Sequence, residues 1–363
     1  MSVRIHELLS FAVKVGASDI HVGAGEIPAM RVDGDVKRLD LEPLTADDAK
    51  RLAYSVMSEK QKTLFENELE VDFSIGLKGL ARFRINVFTH SRGVGMVMRQ
   101  IPSKVLTLEQ IGAPKIFHRI ASYKKGLVLV TGPTGSGKST TLAAMIDFIN
   151  QTRHEHILTV EDPVEFVHTP AKCIINQREV GAHTRSFSNA LRSALREDPD
   201  VILVGEMRDL ETIGLALTAA ETGHLVFGTL HTSSAPETVD RIIDVFPHEQ
   251  QQQVRTMVAS ALKAVISQAL LRKPDGKGRI AAHEIMIVTP AVQNLMRENK
   301  LFQIPSIMQT AKGDGMVLME DSLKQLAYQN KISKKTACEY LNEPDLFKRD
   351  EPEDPRNRGG RRQ

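Results

Sequence analysis

Cysteine is scarce in this chain. Two, Cys173 and Cys338, stand far apart among 363 residues, and neither has a C-x-x-C partner. That excludes a zinc ribbon and suits a reducing compartment. Long apolar runs are missing as well, and none approaches the roughly 20 residues that a membrane-spanning helix needs. The N-terminus shows no basic-then-apolar signal segment. These absences lead to the expectation of a cytosolic protein whose membrane contact is peripheral or made through a partner. Excess charge is also lacking. The net charge is +2, which argues against nucleic acid as a partner. The notable basic cluster, residues 356–362, follows acidic residues and reads as a solvated tail.

A chain of this length has room for two domains. Residues 1–101 read as α+β. A helical pattern over 5–15 precedes short strands at 19–22 and 28–32. A helix over 46–66 starts behind Thr45, a plausible N-cap, and alternating strands follow at 71–75, 81–87 and 95–101. Residues 102–114 carry prolines and a glycine and read as a linker. From 115 to 341 the pattern is α/β. Short continuous apolar strands at 126–131, 156–160, 201–204 and 224–230 alternate with helices, as buried parallel strands do. Beyond Pro236 the pattern is mostly helical, including 251–271 and 316–330. Residues 342–363 are charged, rich in Pro, Gly and Arg, and read as a disordered tail.

Chemistry concentrates in GPTGSGKSTT, Gly132 to Thr141. It follows an apolar strand pattern and opens a helical one, the strand–loop–helix setting of a phosphate-binding loop. Gly132, Pro133, Thr134, Gly135, Ser136, Gly137 and Thr140 would cradle phosphates with backbone N–H groups at a helix start. Lys138 would reach the β/γ-phosphates, and the Ser139 hydroxyl would take Mg²⁺. ATP and Mg²⁺ are therefore the expected ligands. Such a loop becomes a hydrolase only with acidic groups at neighbouring strand ends. Val160-Glu-Asp-Pro-Val-Glu165 and Val201-Ile-Leu-Val-Gly-Glu206 supply them. His224 and His231 bracket a further strand, and their spacing does not suit chelation of one metal from a helix face. Arg82, Arg84 and Arg99 lie on strands of the first domain. Each is either a water-facing strand residue or a finger that neutralises transition-state charge, and strand position alone does not separate the two.

At these residues the chain resembles the secretion-superfamily hexameric ATPases, specifically the type IV pilus retraction (PilT-like) branch, from about residue 6 to 341. GPTGSGKSTTLAAMIDFIN is similar to its Walker A segment, TVEDPVEFVH to its Asp box, LREDPDVILVGEMRDLETI to its Walker B segment and AAETGHLVFGTLHTSSA to its His box. The resemblance implies a PAS-like N-terminal domain, a flexible linker and a RecA-like P-loop ATPase domain, with six chains in a ring. It implies that Glu206 orients or deprotonates water, that Glu165 takes part in hydrolysis, and that Glu161 and Asp162 help to hold the metal. His231 would sense the γ-phosphate, Arg84 and Arg99 would complete the nucleotide site from the N-terminal domain, and Arg192 and Arg196 would add phosphate contacts. An inner-membrane platform protein would receive the motion, placing the ring at the inner face of that membrane. The family's A-I-R-N-L-I-R-E segment stands here as Ala291-Val-Gln-Asn-Leu-Met-Arg-Glu298, with Gln293 in place of an arginine. Accessory retraction ATPases resemble the chain less closely at 197–200 and 205–208. Assembly and type II secretion ATPases usually carry a four-cysteine metal insert, which two cysteines cannot provide.

Overall fold

The computed structural model describes residues 4–32, 34–77, 80–101, 105–276 and 278–347. Residues 102–104 of the expected linker and 348–363 of the expected tail lie outside them. The chain forms two compact units, one built on residues up to Val105 and one from Leu106 onward, with Pro163–Val167 grouped with the first.

The first unit is α+β. Its elements are α1 (Ile5–Val15), β1 (Asp19–Gly23), β2 (Ala29–Val32), β3 (Asp35–Arg38), α2 (Ala46–Tyr54), α3 (Glu59–Glu68), β4 (Glu70–Leu77), β5 (Ala81–His90) and β6 (Gly93–Ile101). The strands form one antiparallel sheet in the order β3-β2-β1-β6-β5-β4. Leu8, Leu9, Leu52, Phe83, Ile85 and Met98 fill its core. The helix expected over 46–66 is two helices. Thr45 caps α2 as read. Ser58 then accepts from the Gln61 backbone while the Gln61 side chain accepts from the Ser58 backbone, a capping box that starts α3 afresh. Strand β3 was not predicted, because all four of its residues are exposed and carry no apolar pattern.

The second unit contains α4 (Ile116–Ala121), β7 (Gly126–Thr131), α5 (Lys138–Thr152), β8 (His156–Glu161), β9 (Ile174–Glu179), α6 (Phe187–Ala194), β10 (Val201–Val204), α7 (Leu210–Glu221) and β11 (Leu225–Leu230). It continues through α8 (Ala235–Asp244), α9 (His248–Ala261), β12 (Leu262–Arg272), β13 (Arg279–Ile287), α10 (Pro290–Arg297), α11 (Ile304–Thr310), α12 (Met319–Tyr328) and α13 (Lys334–Leu341). Its sheet runs β13-β12-β7-β11-β10-β8-β9, parallel throughout except for the β12–β13 hairpin. Leu127, Val130, Ile202, Phe227, Val265 and Ile266 are fully buried at its centre. No helix among the described residues is long and apolar enough to cross a membrane.

The helix expected over 251–271 is half helix and half strand. Residues 262–271 lie between β7 and β13 and are buried on both faces. A strand with no polar face shows no alternation, so periodicity cannot separate it from a buried helix. The edge strand β9 was also unread, because INQR carries little apolar signal. The helix expected from 316 begins at Met319, because Val317 first exchanges both backbone bonds with Ile285. At the end of the chain, Leu346 and Phe347 are buried against α12 and α13, and Phe347 meets Tyr328 edge-on. Packing thus continues past Leu341, where the sequence pattern had ended the domain.

Phe227→Ala in β11 removes a fully buried ring at the centre of the parallel sheet. It should cost about 3–5 kcal/mol of stability, read as a lower denaturant midpoint.

Candidate functional site

Strand β7 is buried along its whole length and leads at its carboxyl end into the glycine loop. Gly132 has φ 137° and Gly137 has φ 90°, both in the region that favours glycine. Space is as restrictive as dihedral angle. A Cβ on Gly132 would sit 2.3 Å from the Gln268 carbonyl oxygen, and one on Gly137 would sit 2.8 Å from Gln268 Nε2. The loop is therefore pressed against β12. Pro133, Thr134 and Gly135 form its exposed crest, Ser136 is buried, and Ser139 and Thr140 are half-buried on the first turn of α5. That turn has no acidic residue, so the positive end of the helix dipole is uncompensated. Lys138 folds over the loop, donating from Nζ to the carbonyls of Gly132 at 2.8 Å and Pro133 at 3.1 Å.

The sheet order decides what faces this loop. β11 lies directly beside β7, and β10 lies one strand further away, about 10 Å from β7 at ordinary strand spacing. His231 leaves the end of β11 and Glu206 the end of β10. These ends are tied to one another. The Thr229 hydroxyl donates to the Gly205 carbonyl, the Met207 N–H to the Thr229 carbonyl, and the Gly205 N–H to the Val160 carbonyl. Glu206 Oε1 lies 3.0 Å from His231 Nε2 and 2.5 Å from Arg208 Nε. Burial pushes the Glu206 carboxyl up, but the Arg208 guanidinium and the His231 ring outweigh it and hold the group below the usual carboxylate range. Asp162 is exposed after β8 and adds to the negative charge felt by Arg208. Glu161 ends β8 and accepts from Thr159 Oγ1 at 2.7 Å and from Gln177 Nε2 at 3.3 Å.

The segment carrying His231 is anchored from behind. The Ser233 N–H and hydroxyl both donate to Glu237, the Thr232 and Thr238 hydroxyls are 2.7 Å apart, and Ser234 caps α8. Buried Glu284 of β13 accepts the Ala235 N–H at 2.8 Å and the Met319 N–H at 3.4 Å, tying the starts of α8 and α12 together. Burial raises its carboxyl against the pull of both backbone donors.

Other predicted residues fall elsewhere. His224 lies before β11, at the sheet edge opposite His231, where its ring meets the Ala219 carbonyl and closes α7. Arg192 pairs with Glu211 at the start of α7. Arg196 is exposed in the turn before β10 begins, again on the edge away from the loop. The expected phosphate contact from Arg196 is therefore not built within one chain. Glu165 is exposed in the stretch grouped with the first unit. Arg84 and Arg99 face each other across β5 and β6 in that unit. Like charges so placed repel, and each is answered by an acid: Arg84 by Asp72 at 2.6 Å and Arg99 by Asp19 at 2.9 Å. Among the described residues no three acidic, His or Cys side chains group to hold a metal. A magnesium ion carried on nucleotide oxygens and water needs no such cage, and a single serine hydroxyl is a suitable protein ligand.

Two groups at the site escaped the sequence reading. Arg208 stands two residues beyond Glu206, and that spacing could have revealed it. Gln268 could not be found, because its strand was read as helix.

Residues 2–336 match the model of the type II/IV secretion system protein family. The chain belongs to that family. Over 343 residues it is 57% identical to the type IV pilus retraction ATPase PilT of Pseudomonas aeruginosa, covering 94% of this chain and 99% of that one. Identity to the type IV pilus ATPase PilU of the same organism is 39%, covering 94% and 89%. A crystal structure of the pilus retraction motor PilT with bound ADP superposes with a TM-score of 0.89 at 50% identity, over 96% of this chain and 99% of that one. The expected architecture, an α+β domain followed by a RecA-like P-loop ATPase domain, holds, and the chain is an ATPase of this family.

Arg208→Ala should raise the Glu206 carboxyl, because the cation that favours its ionised form is removed. If turnover needs the carboxylate, the acid limb of the pH–rate profile moves to higher pH, and an unmoved limb would show that Arg208 does not tune this group.

Proposed function

We propose that this chain is a subunit of a hexameric motor that hydrolyses ATP to drive type IV pilus retraction. The observation that carries this reading is the likeness to a retraction ATPase along almost the whole of both chains, against 39% identity to the accessory-type relative. The site supports it chemically. The loop from Gly132 to Thr140 binds the triphosphate through backbone N–H groups, and Lys138 exchanges its two loop carbonyls for β/γ-phosphate oxygens. At the carboxyl edge the loop after β7 and the acid after β10 stand on strands two spacings apart, which suits a terminal phosphate and a water between them. Glu206, kept ionised, orients that water and accepts its proton. His231 touches Glu206 and stands just past the end of the intervening strand, so a γ-phosphate that draws on the imidazole also alters the base. Ser139 and Asp162 would hold Mg²⁺, and the ion would neutralise phosphate charge.

Arg84 and Arg99 supply positive charge to the nucleotide from the N-terminal domain, with Glu165 as a further acid in hydrolysis. To do so the arginines leave Asp72 and Asp19, a switch between two ion-paired states. ATP favours the closed arrangement of domains 1–101 and 115–341 about the linker at 102–114, and ADP favours its release. Repeated around six chains, that motion displaces an inner-membrane platform protein from the cytoplasmic face, and the segment 291–298 delivers the output.

Lys138→Ala should lower ATP turnover about 100-fold or more, because a preorganised charge on the transferring phosphoryl group is lost. Glu206→Gln should lower kcat by about 10²–10⁴ through loss of the base. Wild-type hydrolysis in either variant would sink the site assignment. In the host, deletion of the gene should leave abundant surface pili and abolish surface motility. Missing pili would indicate an assembly motor, and unchanged pili and motility an accessory one.

A further inference from the structure

Gln268 is buried in β12, and its flat amide is spent on the phosphate loop. Its Nε2 donates to the Ser136 carbonyl at 2.7 Å, and its Oε1 accepts the Thr141 hydroxyl at 2.7 Å. Its own carbonyl fills the space where any side chain on Gly132 would go. One residue earlier, the Ser267 hydroxyl lies 2.9 Å from that of Thr131, the last residue of β7. β12 therefore grips the loop at its entrance, at its final turn and on the first turn of α5, from a position more than 120 residues away in sequence.

The bond to Ser136 has a directional consequence. In a trans peptide the C=O and N–H point to opposite sides of one rigid plane. Pinning the Ser136 carbonyl onto Gln268 turns the Gly137 N–H away from β12, toward the hollow of the loop. Gly137 has no Cβ and a positive φ, so without that pin this plane is among the most easily rotated in the loop. The geometry points to Gln268 as a positioning residue that aims the Gly137 N–H at a nucleotide phosphate. It sets the affinity of the loop for di- and triphosphates and takes no part in the chemical step. This rests on the nucleotide-binding reading of the loop.

The test uses the full-length assembled protein and Gln268→Met, which keeps the length and packing of the side chain but neither polar contact. Wild type should bind ADP in a calorimetric titration. In the variant, ADP binding should weaken about 10-fold, the scale of an unmade hydrogen bond to a buried polar group. The KM for ATP should rise in parallel while kcat holds, the pattern of lost uniform binding. Binding of adenosine, which has no phosphate, should not change, and the nucleotide-free protein should melt only a few degrees lower, because the Ser136 carbonyl and the Thr141 hydroxyl lose their buried partners. Gln268→Glu retains the acceptor for Thr141 but turns an acceptor toward the Ser136 carbonyl, so it should weaken ADP at least as much. Thr141→Val, which spares the Ser136 bond, should be milder than either. A folded Gln268→Met protein with wild-type ADP affinity would overturn the proposal. So would a fall in kcat at unchanged KM, or failure of both Gln268 variants to fold, which would make the residue a determinant of the fold alone. Failure of the wild type to bind ADP would strike the nucleotide reading itself.

Discussion

The fit of the glycine loop against β12 is the constraint on which the rest of the second unit depends. A parallel strand buried on both faces brings its backbone so close to Gly132 that no side chain fits between them. That closeness fixes the start of the loop. The loop in turn fixes where α5 begins and where its positive end points. Substituting the glycine and moving the strand would be equivalent injuries, because each separates two backbones that the sheet holds in contact.

The same sheet order explains the division of labour at the carboxyl edge. β11 between β7 and β10 sets the strands that lead into the loop and into the acid about two strand spacings apart. His231, just past the end of the intervening strand, meets the acid at 3.0 Å. Glu206 is only partly buried, and burial works against its ionised form. Arg208 and His231 reverse that balance. A carboxylate kept charged beside a cation is a weaker base than an isolated one, but it is ionised over a wider pH range. Behind it, Glu284 joins the starts of α8 and α12. The histidine segment therefore rests on the C-terminal helices through one buried group, and loss of that group would leave two backbone donors unsatisfied.

The first unit follows a different logic. Its antiparallel sheet places Arg84 opposite Arg99, an arrangement that costs energy unless acids flank it. Asp72 and Asp19 are those acids. Each guanidinium thereby sits beside its own carboxylate, and the repulsion across the pair of strands is offset.

The order of the domains, the phosphate loop, the two acidic strand ends and the capped start of α2 are legible before the chain folds. Each of these is written in neighbouring residues: a glycine spacing, an apolar run, a threonine three positions before an acidic residue. The Ser58–Gln61 capping box divides the helix expected over 46–66, but the apolar pattern on either side runs on and hides the break. That residues 262–271 form a strand, that Gln268 holds the loop, that His224 belongs to the far edge and that Arg196 lies away from the glycine loop depends on how distant strands assemble. The reason is physical. A strand buried on both faces has no polar side to betray its period, and whether a polar side chain meets a loop more than 120 residues distant is set by strand order, which no local pattern records.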